Sequence, residues 1–341
     1  MRTFVTGASG FLGQRVVVAL LERGGRVVCL VRRSANLEPL RRLAEQHTGR
    51  LDFVWGTLAQ PASYADSLEG CACVYHVAAA MKGGTAVLFQ NNVVATSELV
   101  KAAGRCGVGR FVLISSLAVY GSQSLPTGGV LDETCTLDPQ PHLRDPYTYS
   151  KHSQEAAVQT ACFDARLPIV VVRPGVIYGP GRDCITSRVG LQIGGLLICM
   201  GGRQELPYTH VDNCAEAIAL AGLTARIEGE AFNIVDDNPP TARQLLRRYR
   251  REVARVRTVR IPHIGIMPLS RMCQWYNAYS RGQLPAVLTP YKSAAMWKVI
   301  RYSNAKAKRM LSWQPRINFD QGLEATFSAL REQNLAHKIS A

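Results

Sequence analysis

A glycine-spaced turn near the amino terminus is the feature that most constrains the fold. An apolar run, Thr3 to Thr6, is followed by Gly7, Gly10 and Gly13, and a helical pattern spans residues 11–23. At a strand-to-helix turn, backbone amides and the positive end of the helix dipole can hold a pyrophosphate, and missing Cβ atoms permit close approach. The turn predicts a dinucleotide-binding α/β fold. Its glycine spacing departs from G-x-G-x-x-G, and a tight turn packed for structure alone is the alternative.

Apolar runs alternate with helical patterns through the first half of the chain. The runs are residues 3–6, 27–31, 51–55, 74–78, 111–114 and 169–172, and the helical patterns are residues 11–23, 37–46, 86–103 and 150–165. Such alternation is typical of repeated βαβ units. The sequence therefore predicts an α/β protein with a Rossmann-type, doubly wound parallel sheet.

The rhythm weakens after residue 173, where glycines and prolines become frequent, and it returns near residue 209. We therefore expect an interrupted cofactor domain with a smaller, discontinuous C-terminal substrate lobe over the strand carboxyl ends. The predicted NAD(P)-binding domain is residues 1–173 and 209–237. The predicted substrate-binding lobe is residues 174–208 and 238–330, and residues 331–341 form a C-terminal tail.

The longest apolar run, Leu191 to Met200, is interrupted by Gly194 and Gly195. It is shorter than the roughly 18 to 20 residues that cross a bilayer, so no transmembrane segment is expected. The N-terminus runs directly into a strand pattern, and no signal peptide is expected. The ten cysteines are scattered, the closest pair being Cys71 and Cys73. Because zinc-site spacing is absent, we expect reduced thiols, no metal site and a cytoplasmic protein.

A formal charge of +15 raises the question of an anionic partner. Eight arginines lie close together: Arg243, Arg247, Arg248, Arg250, Arg251, Arg255, Arg257 and Arg260. Apolar residues recur among them at helical spacing, and Thr241 with Gln244 forms a capping-box pattern. The pattern favours the solvated face of an amphipathic helix over nucleic-acid binding. Contact with an acidic partner or with an anionic membrane surface stays open.

The end of the second predicted strand bears on the choice of nicotinamide cofactor. Arg32, Arg33 and Ser34 follow Val31, and no carboxylate stands there to accept from ribose hydroxyls. Arginine pairs with a 2′-phosphate, so the sequence favours NADP(H), with NAD(H) as the alternative. Ordinary surface charge would also account for both arginines.

Tyr147 and Lys151 are the candidate catalytic pair. In a helix, residues four apart share one face, so the Lys151 ammonium is expected near the Tyr147 phenol, where it would favour the ionised form. A phenol activated in this way is a usable acid or base near neutral pH. Tyr149 lies only two residues before Lys151 and would face away.

Further segments stand in order between and beyond these motifs. They are His76-Val77-Ala78-Ala79, Asn92-Val93, residues 114–121, residues 173–181 and residues 210–213. With them, the chain resembles the extended short-chain dehydrogenase/reductase superfamily over nearly its whole length. The likeness is to the NAD-dependent epimerase/dehydratase group that includes 3β-hydroxysteroid dehydrogenase-like and dihydroflavonol reductase-like enzymes.

The resemblance implies roles for particular residues. Tyr147 would be the general acid/base, and Ser116 would hydrogen-bond the substrate oxygen, with Ser115 as the alternative. Lys151 would lower the pKa of Tyr147 and bind the nicotinamide ribose. The cofactor set comprises Gly7, Ser9, Gly10, Phe11, Leu12, Gly13, Arg32, Arg33, Leu58, Ala78, Ala79, Lys151, Pro174 and Val176. One departure is Thr57, where relatives usually carry an aspartate toward the adenine.

The segment at Arg173 bears on the substrate. Nucleotide-sugar enzymes of the superfamily carry asparagine where this chain has Pro174-Gly175, and the likeness is closer to hydroxysteroid dehydrogenases and dihydroflavonol reductases. Five aromatic residues of the C-terminal region could line an apolar pocket or be core: Trp275, Tyr276, Tyr279, Tyr291 and Trp297. The prediction is an NADP(H)-dependent alcohol dehydrogenase or ketone reductase for a hydrophobic, steroid-, isoprenoid- or polyketide-like substrate. The alternatives are a nucleotide-sugar epimerase or dehydratase with retained NAD and a non-catalytic redox sensor, and a homodimer would be ordinary for the superfamily.

Overall fold

The structure, a computed structural model, describes residues 1–280, 283 and 288–340. The strands are β1 (Arg2–Thr6), β2 (Arg26–Val31), β3 (Leu51–Trp55), β4 (Cys73–His76), β5 (Arg110–Ile114), β6 (Val130–Leu131), β7 (Ile169–Pro174), β8 (Val176–Tyr178), β9 (Gly190–Ile193), β10 (Leu196–Met200), β11 (Tyr208–His210), β12 (Ala231–Ile234), β13 (Arg257–Ile261) and β14 (Arg301–Tyr302). The helices are α1 (Phe11–Glu22), α2 (Glu38–Gln46), α3 (Thr85–Phe89), α4 (Ala95–Arg105), α5 (Pro146–Asp164), α6 (Val211–Leu223), α7 (Ala242–Glu252), α8 (His263–Tyr279), α9 (Pro290–Trp297), α10 (Ala305–Leu311) and α11 (Phe319–Ser340).

Within the described residues, the main sheet has seven parallel strands in the order β12-β7-β5-β4-β1-β2-β3. Its central strands are continuous apolar runs because helices cover both faces. Helices α1 and α6 pack on one face, and α4 and α5 pack on the other. The predicted α/β, Rossmann-type, doubly wound fold is therefore confirmed.

The strand order reverses beside β1, which pairs with β2 on one side and β4 on the other. Val5 of β1 lies opposite Cys29 of β2 and Tyr75 of β4. In open parallel sheets, ligands bind outside the carboxyl ends of the strands at such a reversal. The glycine turn follows β1 directly, so it lies at that position.

The remaining strands form small sheets. Strands β13, β10 and β9 form one in that order, while β11 pairs with β8 and β14 pairs with β6. Side chains of β10 alternate: Leu197 and Cys199 pack in the apolar cluster that includes α7, and Met200 packs with Ile266 of α8 and Trp297 of α9. Helices therefore pack on both faces of β10. The domain boundaries predicted from the sequence stay a prediction.

Two local expectations can be compared with the structure. Thr241 and Gln244 form a capping box that begins α7, as predicted. The helix expected over residues 86–103 is α3 and α4, joined by a π-helical turn at Gln90–Val94. In the part of the chain that is described, no helix is both long and apolar enough to cross a bilayer.

Candidate active site

The glycine turn packs directly against the chain segment that follows β4. Gly7 has φ +72°, and a Cβ placed there would lie 2.6 Å from the Ala78 amide nitrogen. A Cβ on Gly13 would lie 2.0 Å from the Gly7 carbonyl oxygen. Gly7 is therefore required by both its backbone conformation and its surroundings, and Gly13 by close packing.

The amino terminus of α1 faces outward from this turn. Gly10 is its N-cap residue, no side chain caps the helix, and its first turn holds no acidic residue. Helix N-terminal amides left without a side-chain partner attract an anion. Ser9 and Phe11 are half-buried and Gly10 is exposed, while Leu12 and Gly13 are buried. The cradle fits the pyrophosphate of a dinucleotide.

Asn92 fixes the backbone that runs beside the turn. Its Oδ1 accepts from the Ala80 amide at 2.7 Å, and its Nδ2 donates to the Ala80 carbonyl at 2.9 Å. Nδ2 also donates to Ser150 Oγ at 3.0 Å, which connects the segment to α5. The side chain of Asn92 is buried and lies in the π-helical turn. It thereby holds Ala78 and Ala79, both predicted cofactor contacts, in place next to Gly7.

The other predicted cofactor residues lie around the same strand ends. Arg32 and Arg33 follow β2 with exposed side chains, and neither forms an ion pair with any described residue. Leu58 is half-buried after β3. Pro174 ends β7 in a buried position, and Val176 is half-buried in β8. The structure thus places these residues at or after the carboxyl ends of the strands.

The two serines after β5 have different partners. Ser115 Oγ donates to Glu155 Oε2 at 2.6 Å in the interior. Ser116 Oγ accepts from the Ala118 amide at 3.1 Å, and the Ser116 side chain is near enough to Tyr147 to lower the pKa of its phenol. Ser116 is therefore the serine that the fold places beside Tyr147.

Tyr147 lies in the first turn of α5, which is capped by Asp145. Burial raises the pKa of its phenol to about 12, and nearby Arg182 and Ser116 act in the opposite direction. Arg182 lies with its guanidinium 5.6 Å from the centre of the Phe11 ring. In this structure the Tyr147 phenol is accordingly protonated at neutral pH.

Lys151 is buried one helical turn further on. Its Nζ donates to the Ile114 carbonyl at 2.7 Å and to Gln154 Oε1 at 2.6 Å. Burial lowers the pKa of Lys151 to about 7, against the opposing charge of Glu155. The sequence-based expectation that Lys151 depresses the Tyr147 pKa is not seen here, because the ammonium is bound to these interior acceptors and Arg182 is the cation that acts on the phenol.

A chain of buried hydrogen bonds leads from Lys151 back to the glycine turn. Gln154 Nε2 donates to Thr96 Oγ1 at 2.9 Å, and Thr96 Oγ1 lies 2.9 Å from His76 Nε2. His76 Nδ1 lies 2.9 Å from Thr6 Oγ1 at the end of β1. Burial, reinforced by the Lys151 charge, lowers the pKa of His76 to about 3, so this imidazole is neutral. The network holds the candidate catalytic lysine and the cofactor cradle in one fixed arrangement.

A buried ion pair between Arg173 and Glu155 lies next to this network. Arg173 Nε donates to Glu155 Oε2 at 3.2 Å, and its Nη2 bonds Glu155 Oε1. Arg173 Nη1 donates to the Tyr120 hydroxyl at 2.6 Å. Sequence reasoning missed Glu155, Gln154 and Arg182. Glu155 stands four residues after Lys151 on the same helical face, and that spacing was the available signal.

The C-terminal aromatic residues do not converge on this site. Trp275, Tyr276 and Tyr279 are exposed on α8. Trp297 is buried, with its Nε1 donating to the Ser187 carbonyl at 3.0 Å, and the Tyr291 hydroxyl donates to Asp138. Among the described residues there is also no group of three or more histidine, cysteine, aspartate or glutamate side chains that could hold a metal ion.

A doubly wound sheet with an anion cradle at its switch point and a Tyr-x-x-x-Lys helix beside it defines a nucleotide-dependent oxidoreductase of the short-chain dehydrogenase/reductase type. The sequence model of the NAD dependent epimerase/dehydratase family matches residues 3–234. The chain belongs to this family, and it is an NAD(P)-dependent enzyme.

Individual proteins are similar to this chain over nearly its full length. A 2-alkyl-3-oxoalkanoate reductase of Stenotrophomonas maltophilia is 28% identical, covering 95% of this chain and 97% of the relative. The decarboxylating sterol-4-alpha-carboxylate 3-dehydrogenase of Candida albicans is 26% identical, covering 96% and 97%. The crystal structure of DesIV, a dTDP-glucose 4,6-dehydratase from Streptomyces venezuelae with NAD and TYD bound, superposes with a TM-score of 0.75 at 25% identity, covering 98% of both chains.

Proposed function

We propose that this protein is an NADP(H)-dependent oxidoreductase that interconverts a secondary alcohol and a ketone on a hydrophobic substrate. The observation that carries the proposal is the position of Tyr147: burial raises the pKa of its phenol, Arg182 and Ser116 both act to lower it, and Arg182 lies over Phe11 of the cofactor cradle. Together, a hydroxyl donor and a protonated phenol can hold and protonate one substrate oxygen.

The protein groups divide the work in the reductive direction. Ser116 orients the ketone oxygen, and Tyr147 donates its proton to that oxygen. The bound nicotinamide supplies the hydride. Lys151, held by Ile114 and Gln154, lies one turn along α5 and would bind the nicotinamide ribose. In the oxidative direction the same phenol, once ionised, takes the hydroxyl proton.

The surroundings of Arg182 support an apolar substrate. Arg182 Nη2 lies 3.6 Å from Met81 Sδ, and the Met81 side chain is 52% exposed. Val87 lies on α3, next to Gly83, and is also 52% exposed. Apolar side chains left open beside a polar pair favour a ligand with one polar oxygen and a large apolar body. Relatives named as a sterol dehydrogenase and an oxoalkanoate reductase agree with this substrate class.

The NADP(H) preference is supported by Arg32 and Arg33. Both are exposed at the end of β2 and neither has an ion-pair partner among the described residues. Planar guanidinium groups bind a phosphate in bidentate geometry, and no carboxylate stands at that strand end to accept from a ribose hydroxyl.

A second candidate, a nucleotide-sugar epimerase or dehydratase with retained NAD, is favoured by one observation. The overall fold superposes on DesIV with the TM-score of 0.75 given above. Such an enzyme would convert its substrate without net consumption of nicotinamide.

The first experiment is a titration of the purified protein with NADPH and with NADH, followed by tryptophan-to-nicotinamide energy transfer, after any copurified cofactor has been extracted and identified. The proposal expects dissociable NADPH, preferred by about tenfold or more, which is about 1.4 kcal/mol. Net NADPH oxidation with ketosteroids or 2-alkyl-3-oxo acids would then support it. Tightly retained NAD, together with conversion of a nucleotide sugar without net NADPH oxidation, would contradict it.

A further inference from the structure

A pocket of about 620 Å³ opens in the C-terminal part of the molecule, between α7 and the small sheet. Six arginines line it: Arg243, Arg247, Arg250, Arg251, Arg255 and Arg260. Apolar side chains, among them Val189, Cys199 and Leu246, line the rest, with the backbone of Gly201 and Gly202 and with Thr258. Its lining includes no carboxylate. We call it the arginine pocket.

Two of these arginines are held against the small sheet. Arg260 Nε donates to the Gly201 carbonyl at 3.1 Å, and Arg250 Nη1 lies 3.4 Å from Thr258 Oγ1. Both arginines also act on the Cys199 thiol, opposing the burial that raises its pKa. Arg250 of α7 and Arg260 of β13 therefore both lie near Cys199 in the pocket lining.

The positive charge in the pocket is not neutralised by the protein. Among the described residues, only Arg251 of the six forms an ion pair, with Glu252, and Glu252 is shared with Arg248. Some arginines elsewhere do have acidic partners, as Arg15 has Asp212 and Arg110 has Glu228. Five guanidinium groups around one cavity repel one another, and an anion bound there would relieve that repulsion.

The number and type of cations indicate the ligand. Guanidinium groups match phosphate oxygens in bidentate geometry. A single carboxylate or phosphate would engage only one or two of them, whereas the cavity volume lies in the range of sites for nucleotide-sized ligands. We propose that the arginine pocket binds a ligand carrying two or more phosphate groups, either a free phosphate ester or a polyphosphorylated lipid headgroup.

The arginine pocket is separate from the candidate active site. It shares no residue with the cofactor cradle, and neither Ser116 nor Tyr147 lines it. It lies on the face of β10 that carries Cys199, whereas Met200 packs on the opposite face with Ile266. The proposal therefore stands independently of the substrate and cofactor assignments.

The test uses the full-length protein saturated with nicotinamide cofactor, so that the cradle at Gly7 cannot take up the probe. Inorganic pyrophosphate is titrated by calorimetry at an ionic strength of about 0.15 M, where weak surface attraction is screened. The pocket variant is Arg247→Gln with Arg250→Gln. The matched control is Arg271→Gln with Arg309→Gln, which removes the same charge from exposed positions on α8 and α10.

The proposal expects saturable pyrophosphate binding that the pocket variant weakens about tenfold or more, since charge-assisted hydrogen bonds are lost, while the control stays within about twofold. Thermal melting checks that both variants are folded. Absence of wild-type binding at millimolar pyrophosphate, or equal weakening in the control, would overturn the proposal. Oligonucleotide binding that pyrophosphate fails to displace would also overturn it, in favour of nucleic acid.

Sedimentation with vesicles distinguishes the two sources of phosphate. Vesicles containing a phosphatidylinositol bisphosphate are compared with vesicles of equal surface charge made with phosphatidylserine. Retention on the first alone, reversed by pyrophosphate, would assign the site to a lipid headgroup. Pyrophosphate binding without vesicle retention would assign it to a free phosphate ester.

Discussion

Charged side chains have fixed partners in the interior beneath α5, whereas several on the surface of α7 have no acidic partner in the part of the chain that the structure describes. Beneath α5, Lys151, Glu155 and Arg173 are all buried, and each has a fixed partner. On α7, Arg247 and Arg250 are exposed and have no acidic partner among the described residues. Burying a charge without a partner is costly, so the interior charges must be paired, whereas surface charges are stable in water alone. Convergent unpaired surface charges therefore say more about an external ligand than the buried pairs do.

Replacement of the Tyr147 phenol should have the largest effect. We expect Tyr147→Phe to lower kcat by about a thousandfold, because the proton donor is lost, and to leave cofactor affinity within about twofold. Tyr149→Phe is the matched control on the same helix, since its ring packs 4.7 Å from the Phe89 ring centre. Steady-state kinetics and cofactor titration measure both, and a Tyr147→Phe variant with full turnover would refute the mechanism.

Breaking the buried pair should have a large effect on stability. Glu155→Gln leaves Arg173 with an uncompensated buried charge, so the free energy of unfolding should fall by about 3 to 5 kcal/mol. Glu38→Gln removes the partner of Arg42 in an exposed pair, and its effect should be below about 1 kcal/mol. Urea unfolding followed by circular dichroism compares them. Equal losses in the two variants would remove the contrast between interior and surface.

The protonation state of Tyr147 sets a dependence on pH. Because burial raises the phenol pKa to about 12, alcohol oxidation, which needs the phenolate, should rise about tenfold per pH unit from neutral pH upward. Ketone reduction uses the protonated phenol and should be nearly flat up to the alkaline range. Pre-steady-state rates in both directions measure this. An oxidation rate that is already level at pH 7 would show that cofactor binding depresses the phenol pKa.

Reversing one surface charge should have the smallest and most selective effect. We expect Arg32→Glu to weaken NADPH binding by about tenfold and to leave NADH binding within about twofold, because only NADPH has the 2′-phosphate. Arg41→Glu makes the same change in charge at another exposed position, on α2. Fluorescence titration of each variant with both cofactors is the measurement. Similar weakening of both cofactors by Arg32→Glu would show a nonspecific effect.

The parallel sheet could be predicted from the sequence because strands buried on both faces are continuous apolar runs, as in residues 169–172. The glycine turn was predictable for a related reason, since positions such as Gly7 and Gly13 have no room for a side chain. An apolar run and a glycine spacing are both local patterns, and a sequence displays local patterns directly.

The environment of Lys151 could not be predicted in the same way. Periodicity places Lys151, Tyr147 and Gln154 on one helix, but the Ile114 carbonyl binds the ammonium only because α5 packs against β5. Arg182 reaches Tyr147 from a loop after β8 that has no period of its own. Such contacts depend on the tertiary arrangement. The π-helical turn around Asn92 depends on it as well.

The last strand to join the main sheet, β12, pairs with β7 at the edge, so residues 231–234 complete a sheet that is otherwise contained within the first 174 residues. During synthesis, β7 therefore emerges well before its neighbour and has an open hydrogen-bonding edge in the meantime. Open edges promote intermolecular pairing, and late long-range contacts slow folding. A chain ended before Ala231 contains every residue assigned to proton transfer but lacks β12. The edge of β7 would then stay open permanently, so we expect this shortened chain to aggregate.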